Sequence, residues 1–150
     1  MYTVVLILHG LLRWSALIAG VGATFAALTS QGDNPRLDRW GLALMVALDL
    51  QMLVGLILYL ALSPFTKEAM NDFGAAMANP ALRFFAVEHA TMMIGAVVLA
   101  HVGRVLARKA RTPAAKRTRL LVCFGLSTVL MIVGTPWPGT ANGRPLFRVS

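Results

Sequence analysis

Four apolar stretches dominate this 150-residue chain, at about residues 3–28, 41–63, 81–106 and 120–135. About 20 apolar residues are needed to cross a bilayer as a helix, a length the first three exceed and the fourth nearly reaches. Lipid offers backbone N–H and C=O groups no partner, so each stretch must satisfy its own as a helix. The composition leaves little alternative: 57% of residues are hydrophobic and 13% are charged, where soluble domains carry about a quarter charged. A core built from so short a chain could not hide that much apolar surface. The predicted fold is all-α, a four-helix transmembrane bundle forming a single domain over residues 1–150. Nothing basic precedes the first stretch and no small-residue cleavage site closes it, so it reads as a span rather than a cleavable signal.

The formal charge of +8, from 14 Lys and Arg against 6 Asp and Glu, would suggest nucleic acid in a soluble protein. Here the cations flank apolar stretches, which fits membrane topogenesis and attraction to anionic lipid, and no nucleic-acid partner is expected. The first loop carries Arg36 and Arg39. The third connection carries Arg104, Arg108, Lys109, Arg111, Lys116, Arg117 and Arg119. The opposite side carries Lys67, Arg83, Arg144 and Arg148. Nine against four places the odd-numbered loops in the cytoplasm and both termini on the outer, periplasmic side of a bacterial inner membrane. The basic 104–119 segment is then the surface for anionic lipids. Trp40 and Trp137 mark the inner end of the second span and the outer end of the fourth. Pro64 closes the second span, Pro80 precedes the third, and Pro136 and Pro138 end the fourth. Between Phe65 and Asn79, residues Phe65, Met70, Phe73 and Met77 share one face of a short interfacial helix.

Ionisable groups at membrane depth are costly, by at least about 2.5–3.5 kcal/mol for Arg or Asp, and so signal function. The candidates are His9, Arg13, Asp49, Glu88, His89 and His101. With a rise of about 1.5 Å per residue, His9, Glu88 and His89 all lie roughly 7–9 Å to the outer side of the midplane. Two neutral imidazoles at one depth on different helices suit the axial positions of a haem iron. His9 and Arg13, four residues apart, share a helix face. The expected arrangement pairs Arg13 with Glu88 beside the two imidazoles, with Arg13 or Arg83 available to a haem propionate through a bidentate fork. Gly10, next to His9, is assigned to the cofactor edge; Gly20, Gly22, Gly55, Gly95 and Gly125 read as helix-packing positions. The plain alternative is that both imidazoles bond carbonyls or hydroxyls such as those of Ser15 and Thr91 and only fix packing. His101 has no second ligand pair at its depth and is expected to bond Asp49 or face headgroups. Asp49 and Gln51 read as an interhelical hydrogen-bond knot or as a proton or quinone site, and Met92 and Met93 as core. Cys123, the single cysteine, excludes an intramolecular disulfide and reads as a small buried hydrophobe. No CxxCH occurs to attach haem covalently.

The string Arg83-Phe84-Phe85-Ala86-Val87-Glu88-His89 resembles the RFFAVEH signature of small four-span bacterial proteins labelled cytochrome B. The resemblance extends to His9-Gly10-Leu11-Leu12-Arg13-Trp14, to residues 51–59, and to Gly134-Thr135-Pro136-Trp137-Pro138, and so spans nearly the whole chain. It implies one b-type haem held by bundle histidines, and membrane electron transfer. Carried onto this sequence, it points to His9 and His89 with Arg13 and Glu88 beside them. The expected function is that of a haem b electron carrier or the cytochrome subunit of a larger membrane bioenergetic complex, with other membrane subunits as partners. No catalytic nucleophile, glycine-rich phosphate loop or metal cluster is evident, so independent catalysis is not expected. Two alternatives stand beside this: a cofactor-free accessory subunit of a respiratory or photosynthetic complex, and a quinone-reactive or proton-handling protein using Glu88, Arg13 and Asp49.

Overall fold

The computed structural model describes residues 1–30 and 34–146, all-α with no strand among them. Arg148, counted above toward the outer side, lies outside these residues. Helix α1 (Tyr2–Thr29) is the first span. Helix α2 (Pro35–Ile57) continues through a π-helical turn, Leu58–Leu62, as the second. Two short helices follow, α3 (Pro64–Asn71) and α4 (Phe73–Ala78). The third span combines α5 (Pro80–Arg83), a second π-helical turn at Phe84–Glu88, and α6 (His89–Arg108); α7 (Pro113–Gly134) is the fourth. All four are long and apolar enough to cross a membrane. The chain is a multi-pass membrane protein, and an even number of crossings puts both termini on one side.

Two spans begin earlier than their hydropathy suggests. The second starts at Pro35 rather than near 41, because Asn34 caps the Arg36 amide and Pro35 occupies the first helical position. The fourth starts at Pro113 rather than near 120, with Thr112 capping the Ala115 amide at 3.1 Å. Caps and N1 prolines nucleate a helix whatever the polarity of its first turn. The segment between the second and third spans is two helices, not one. Asp72 ends α3 and caps the Ala75 amide of α4, so the expected apolar face is divided. Phe65 and Met77 pack inward on Ala69, Ala76, Leu82 and Ala86, while Met70 and Phe73 stay exposed.

Neighbouring spans pack in the cyclic order α1, α2, α6, α7, so α1 and α6 face each other across the diagonal. The main packed core lies toward one end of the bundle. Its core runs from Ala16 to Ala27 on α1, Leu37 to Leu48 on α2, Ala96 to Ala107 on α6 and Leu120 to Met131 on α7. Rows of small residues at helical spacing, such as Ala96, Ala100, Gly103 and Ala107, let backbones approach closely there. At this basic end, Arg117 donates to the carbonyls of Ala27 and Leu28, and Arg119 to that of Leu106. These carbonyls lie at helix C-termini, which lack intrahelical donors. The other end of the bundle, where His9 and His89 sit, is hollow.

Candidate functional site

His89 follows directly on the Phe84–Glu88 π turn. One extra residue in a turn rotates everything after it by roughly 100° relative to a regular helix. The RFFAVEH string therefore sets which way His89 faces. The rotation is braced from the second span, whose own π turn holds Tyr59: its hydroxyl donates to the Ala86 carbonyl at 2.7 Å, and the Thr66 hydroxyl donates back to the Tyr59 carbonyl at 2.7 Å. Single π turns inside α-helices occur often at functional sites, and here two of them are bonded together.

The His89 ring is anchored by Nδ1, which donates to the Gly134 carbonyl at 2.7 Å. This fixes the proton on Nδ1 and leaves Nε2 as a bare acceptor, the tautomer a metal-ligating histidine needs. Across the bundle, His9 on α1 meets Gln51 on α2, whose Nε2 donates to His9 Nε2 at 3.2 Å. The His9 and His89 ring centroids are 6.3 Å apart with planes inclined at 71°. A metal–imidazole bond of about 2.0–2.1 Å, plus roughly 1.1 Å from nitrogen to centroid on each side, brings two rings sharing one metal to roughly 6.3 Å. The rings are thus an edge-to-face pair whose separation would also admit one metal ion between them.

Both histidines line a cavity of about 740 Å³ walled mostly by apolar side chains from the first three spans, the segment joining the second and third, and the tail after α7, within the roughly 300–1,000 Å³ of small-molecule and cofactor sites. Gly10 also lines it, and a Cβ there would meet nothing within 4 Å. Gly55 backs His9, with its Cβ position 3.2 Å from the ring. Three buried polar atoms on the wall lack partners: His9 Nδ1, Gln51 Oε1 and Arg13 Nε. Turning the Gln51 amide over would satisfy its oxygen and strand its nitrogen instead, so the deficit is a property of the site. Native interiors pair nearly all such groups, so three exceptions among the residues of one cavity set this region apart from an ordinary core. Two neutral imidazoles alone are too few donors for a bare ion, and no group of three His, Cys, Asp or Glu occurs among the described residues. They suffice for a metal whose remaining ligands come with it, as in haem. The residues present fit that group.

The charged residues differ from expectation. Glu88 does not reach Arg13; its carboxylate pairs with Arg83 Nε at 2.7 Å, both side chains being about two-fifths exposed. The π turn causes this, because it separates Arg83 from Glu88 by a single wide turn and directs both away from the cavity. Arg83 also donates to the Met77 carbonyl at 3.1 Å and so holds α4 rather than a cofactor edge. Arg13 does line the cavity, donating from Nη2 to the Leu146 carbonyl at 2.7 Å. The cation missed by sequence reasoning is Arg144, which lies 4.7 and 5.0 Å from the ring centroids of Phe65 and Phe85 and lines the same cavity. Its place in the sequence, in a proline- and glycine-rich tail, gave no sign of it.

Asp49 lies 3.5 Å from His101 Nε2, and His101 Nδ1 donates to the Val97 carbonyl at 3.0 Å. The polar knot therefore has two separate parts, Asp49 with His101 and Gln51 with His9. Met92 and Met93 pack against Gly134. Trp137 donates to the Ile132 carbonyl and stacks edge-on against Trp14 at 6.1 Å, which ties the fourth span's end to α1. Comparison with known protein families, with curated proteins and with solved structures returns no match.

Proposed function

We propose that this protein binds one haem b between His9 and His89 and acts in electron transfer in a bacterial cytoplasmic membrane, as a subunit of a larger bioenergetic complex. One observation carries the reading: two facing imidazoles, 6.3 Å apart, on the wall of a large apolar cavity, one with its tautomer fixed by the Gly134 carbonyl. The likeness of the Arg83–His89 string to four-span cytochrome B proteins supports it.

Haem, when bound, supplies a one-electron couple whose potential depends on axial ligands, surrounding polarity and nearby charge. The chain's residues would set each of these. His89 would supply Nε2 and His9 would supply Nδ1, the latter with the Gln51 amide turned so that its oxygen accepts from His9 Nε2–H. Gln51 and the Gly134 carbonyl orient the rings and tune their basicity. The aliphatic walls exclude water. Arg13 and Arg144 supply positive charge suited to carboxylates in a bidentate fork. The excess of Lys and Arg at the other end of the bundle supports a cavity in the outer half of the membrane.

Membership of a larger complex is supported by Asp49 and His101. Their side chains are 52% and 41% exposed within two spans. Ionisable groups at that depth almost always face protein or a water-filled cavity rather than lipid. A neighbouring subunit over this face would supply the missing cover. Glu88, Arg13 and Asp49 are in three separate pairings, so a shared proton or quinone site built from them has no structural support.

The test is an optical difference spectrum of the purified protein, dithionite-reduced minus oxidised. A b-type alpha band is expected. A flat trace from protein produced with ample haem would end the redox reading and leave an accessory subunit.

A further inference from the structure

At the basic end of the bundle a second cavity, of about 440 Å³, opens between α2, α6 and α7. Its floor is apolar, formed by Leu37, Leu120 and Phe124, and its rim carries Arg104, Arg108 and Lys116 against a single carboxylate, Asp38. That carboxylate is engaged: its Oδ2 lies 3.3 Å from Lys116 Nζ. Arg104 is anchored at one end of its guanidinium. Its Nη1 donates to the Asp38 carbonyl at 3.1 Å and lies 3.1 Å from where a Gly41 Cβ would be, so the glycine makes room for the guanidinium. Its Nε is buried with no partner. A guanidinium with a buried, unpaired N–H, on a residue lining a cavity of net positive charge, favours an anionic partner there.

We infer that this cavity binds the phosphate of an anionic phospholipid headgroup, with Arg104 and Arg108 taking the phosphate oxygens. Three features select a lipid over a free anion. The cavity lies where α6 ends and α7 begins, at the level of the membrane–water interface. Its apolar floor would be wasted on inorganic phosphate but suits glycerol and the first carbons of an acyl chain. Basic pockets between spans on the cytoplasmic side are a recurrent headgroup site. Guanidinium forks match phosphate oxygens in pairs. The inference is independent of what fills the outer cavity.

Native mass spectrometry of the intact protein in neutral detergent tests this. It would be titrated with phosphatidylglycerol, with phosphatidylcholine, and with inorganic phosphate alone. Retention of phosphatidylglycerol is expected to exceed that of phosphatidylcholine about tenfold. Arg108→Gln is expected to remove most of that preference without disturbing the fold, since Arg108 is exposed. Arg104→Lys, which keeps the charge but loses the fork, should remove a comparable part. A control, Arg36→Gln with Arg39→Gln, should change it less than twofold. An unchanged preference in the two cavity variants would overturn the assignment, as would an equal loss in the control, which would signal diffuse attraction. Displacement of the lipid by inorganic phosphate at equal concentration would overturn the lipid as occupant.

Discussion

His89 Nδ1 donates to the carbonyl of Gly134, the last residue of α7, at 2.7 Å. That carbonyl is one of the C-terminal group that a helix cannot satisfy internally. The third span thus caps the fourth with the same imidazole whose Nε2 is left as an acceptor on the proposed haem site. The two roles separate experimentally. His89→Ala is expected to abolish haem binding and to lower stability by about 1–2 kcal/mol through the lost bond and the orphaned carbonyl. His9→Ala is expected to abolish haem binding equally with a smaller loss of stability, because the contact it removes joins two groups that are already incompletely paired. Pyridine haemochrome content and thermal unfolding of each variant measure the two effects, and normal haem content in either would rule out the pair.

Gln51 is expected to act on His9 from behind. Partners of metal-ligating histidines typically contribute about 10–100-fold in affinity. Replacing Gln51 by Leu keeps the side chain's bulk and removes its bond to His9 Nε2. The variant should still take up haem, with an affinity lower by about that factor and a shifted midpoint potential. Absorbance titration of the haem-free protein checks the affinity. A Gln51→Leu protein with wild-type affinity and potential would show that His9 is oriented by packing alone.

Two glycines of opposite surroundings distinguish cavity from core. A side chain at Gly10 meets open space, whereas a Cβ at Gly103 would lie 2.5 Å from the Cys123 Cβ, which is fixed to the α7 backbone. Gly103→Ala should therefore force α6 and α7 apart and lower stability by about 1–3 kcal/mol, the usual cost of overpacking. Gly10→Phe should fold with unfolding temperature near that of the parent and lose haem, because the ring would occupy the cofactor's volume. Circular dichroism melts and haem content of both variants test this. Loss of fold in Gly10→Phe would mean that the cavity is closed by packing.

The four spans and the approach of the two histidines were legible because lipid imposes length and polarity on every residue in a span. The starts of α2 and α7 were less so, since their first turns are polar, although Asn34-Pro35 and Thr112-Pro113 carry the capping signal. Side-chain pairing was legible only where spacing in a regular helix decided it. His9 and Arg13, on regular α1, both line the cavity as their spacing implied. Arg83 and Glu88 did not follow the regular pattern, because hydropathy carries no mark of a π turn and the added residue turns both outward. Arg144 was hidden for a different reason: its position depends on where the tail folds back, which no periodicity reports.

The bond from Tyr59 to the Ala86 carbonyl joins the two π turns. Tyr59→Phe removes one hydroxyl and leaves the ring in place. It is expected to cost about 1 kcal/mol, the net value of a hydrogen bond. The more informative effect is on the site, because release of Ala86 loosens the turn that orients His89. Haem affinity should fall in Tyr59→Phe although Tyr59 Oη makes no bond to either histidine. A stability loss with unaltered haem affinity would show that the second π turn holds its geometry without the first.

The tail after α7 covers the cavity through two cations. Arg13 holds the Leu146 carbonyl at 2.7 Å, Arg144 lies against the rings of Phe65 and Phe85, and the Arg144 amide donates to the Pro136 carbonyl at 3.1 Å. Pro145 and Leu146 line the cavity beside them. A cation over an aromatic face contributes about 0.5–1 kcal/mol at exposed sites and more when desolvated. Each anchor is therefore modest, and loss of both should release the segment while the spans stay folded. Hydrogen exchange of residues 137–146 is expected to rise slightly in Arg13→Gln or Arg144→Ala and strongly in the double variant, with the amides of α6 and α7 unchanged. The same double variant should lose haem faster than the parent, since the segment covers the cavity and two cations that would be available to the cofactor's carboxylates are gone. Unchanged exchange in the tail would mean that Trp137, packed on Trp14, holds it without help from either arginine.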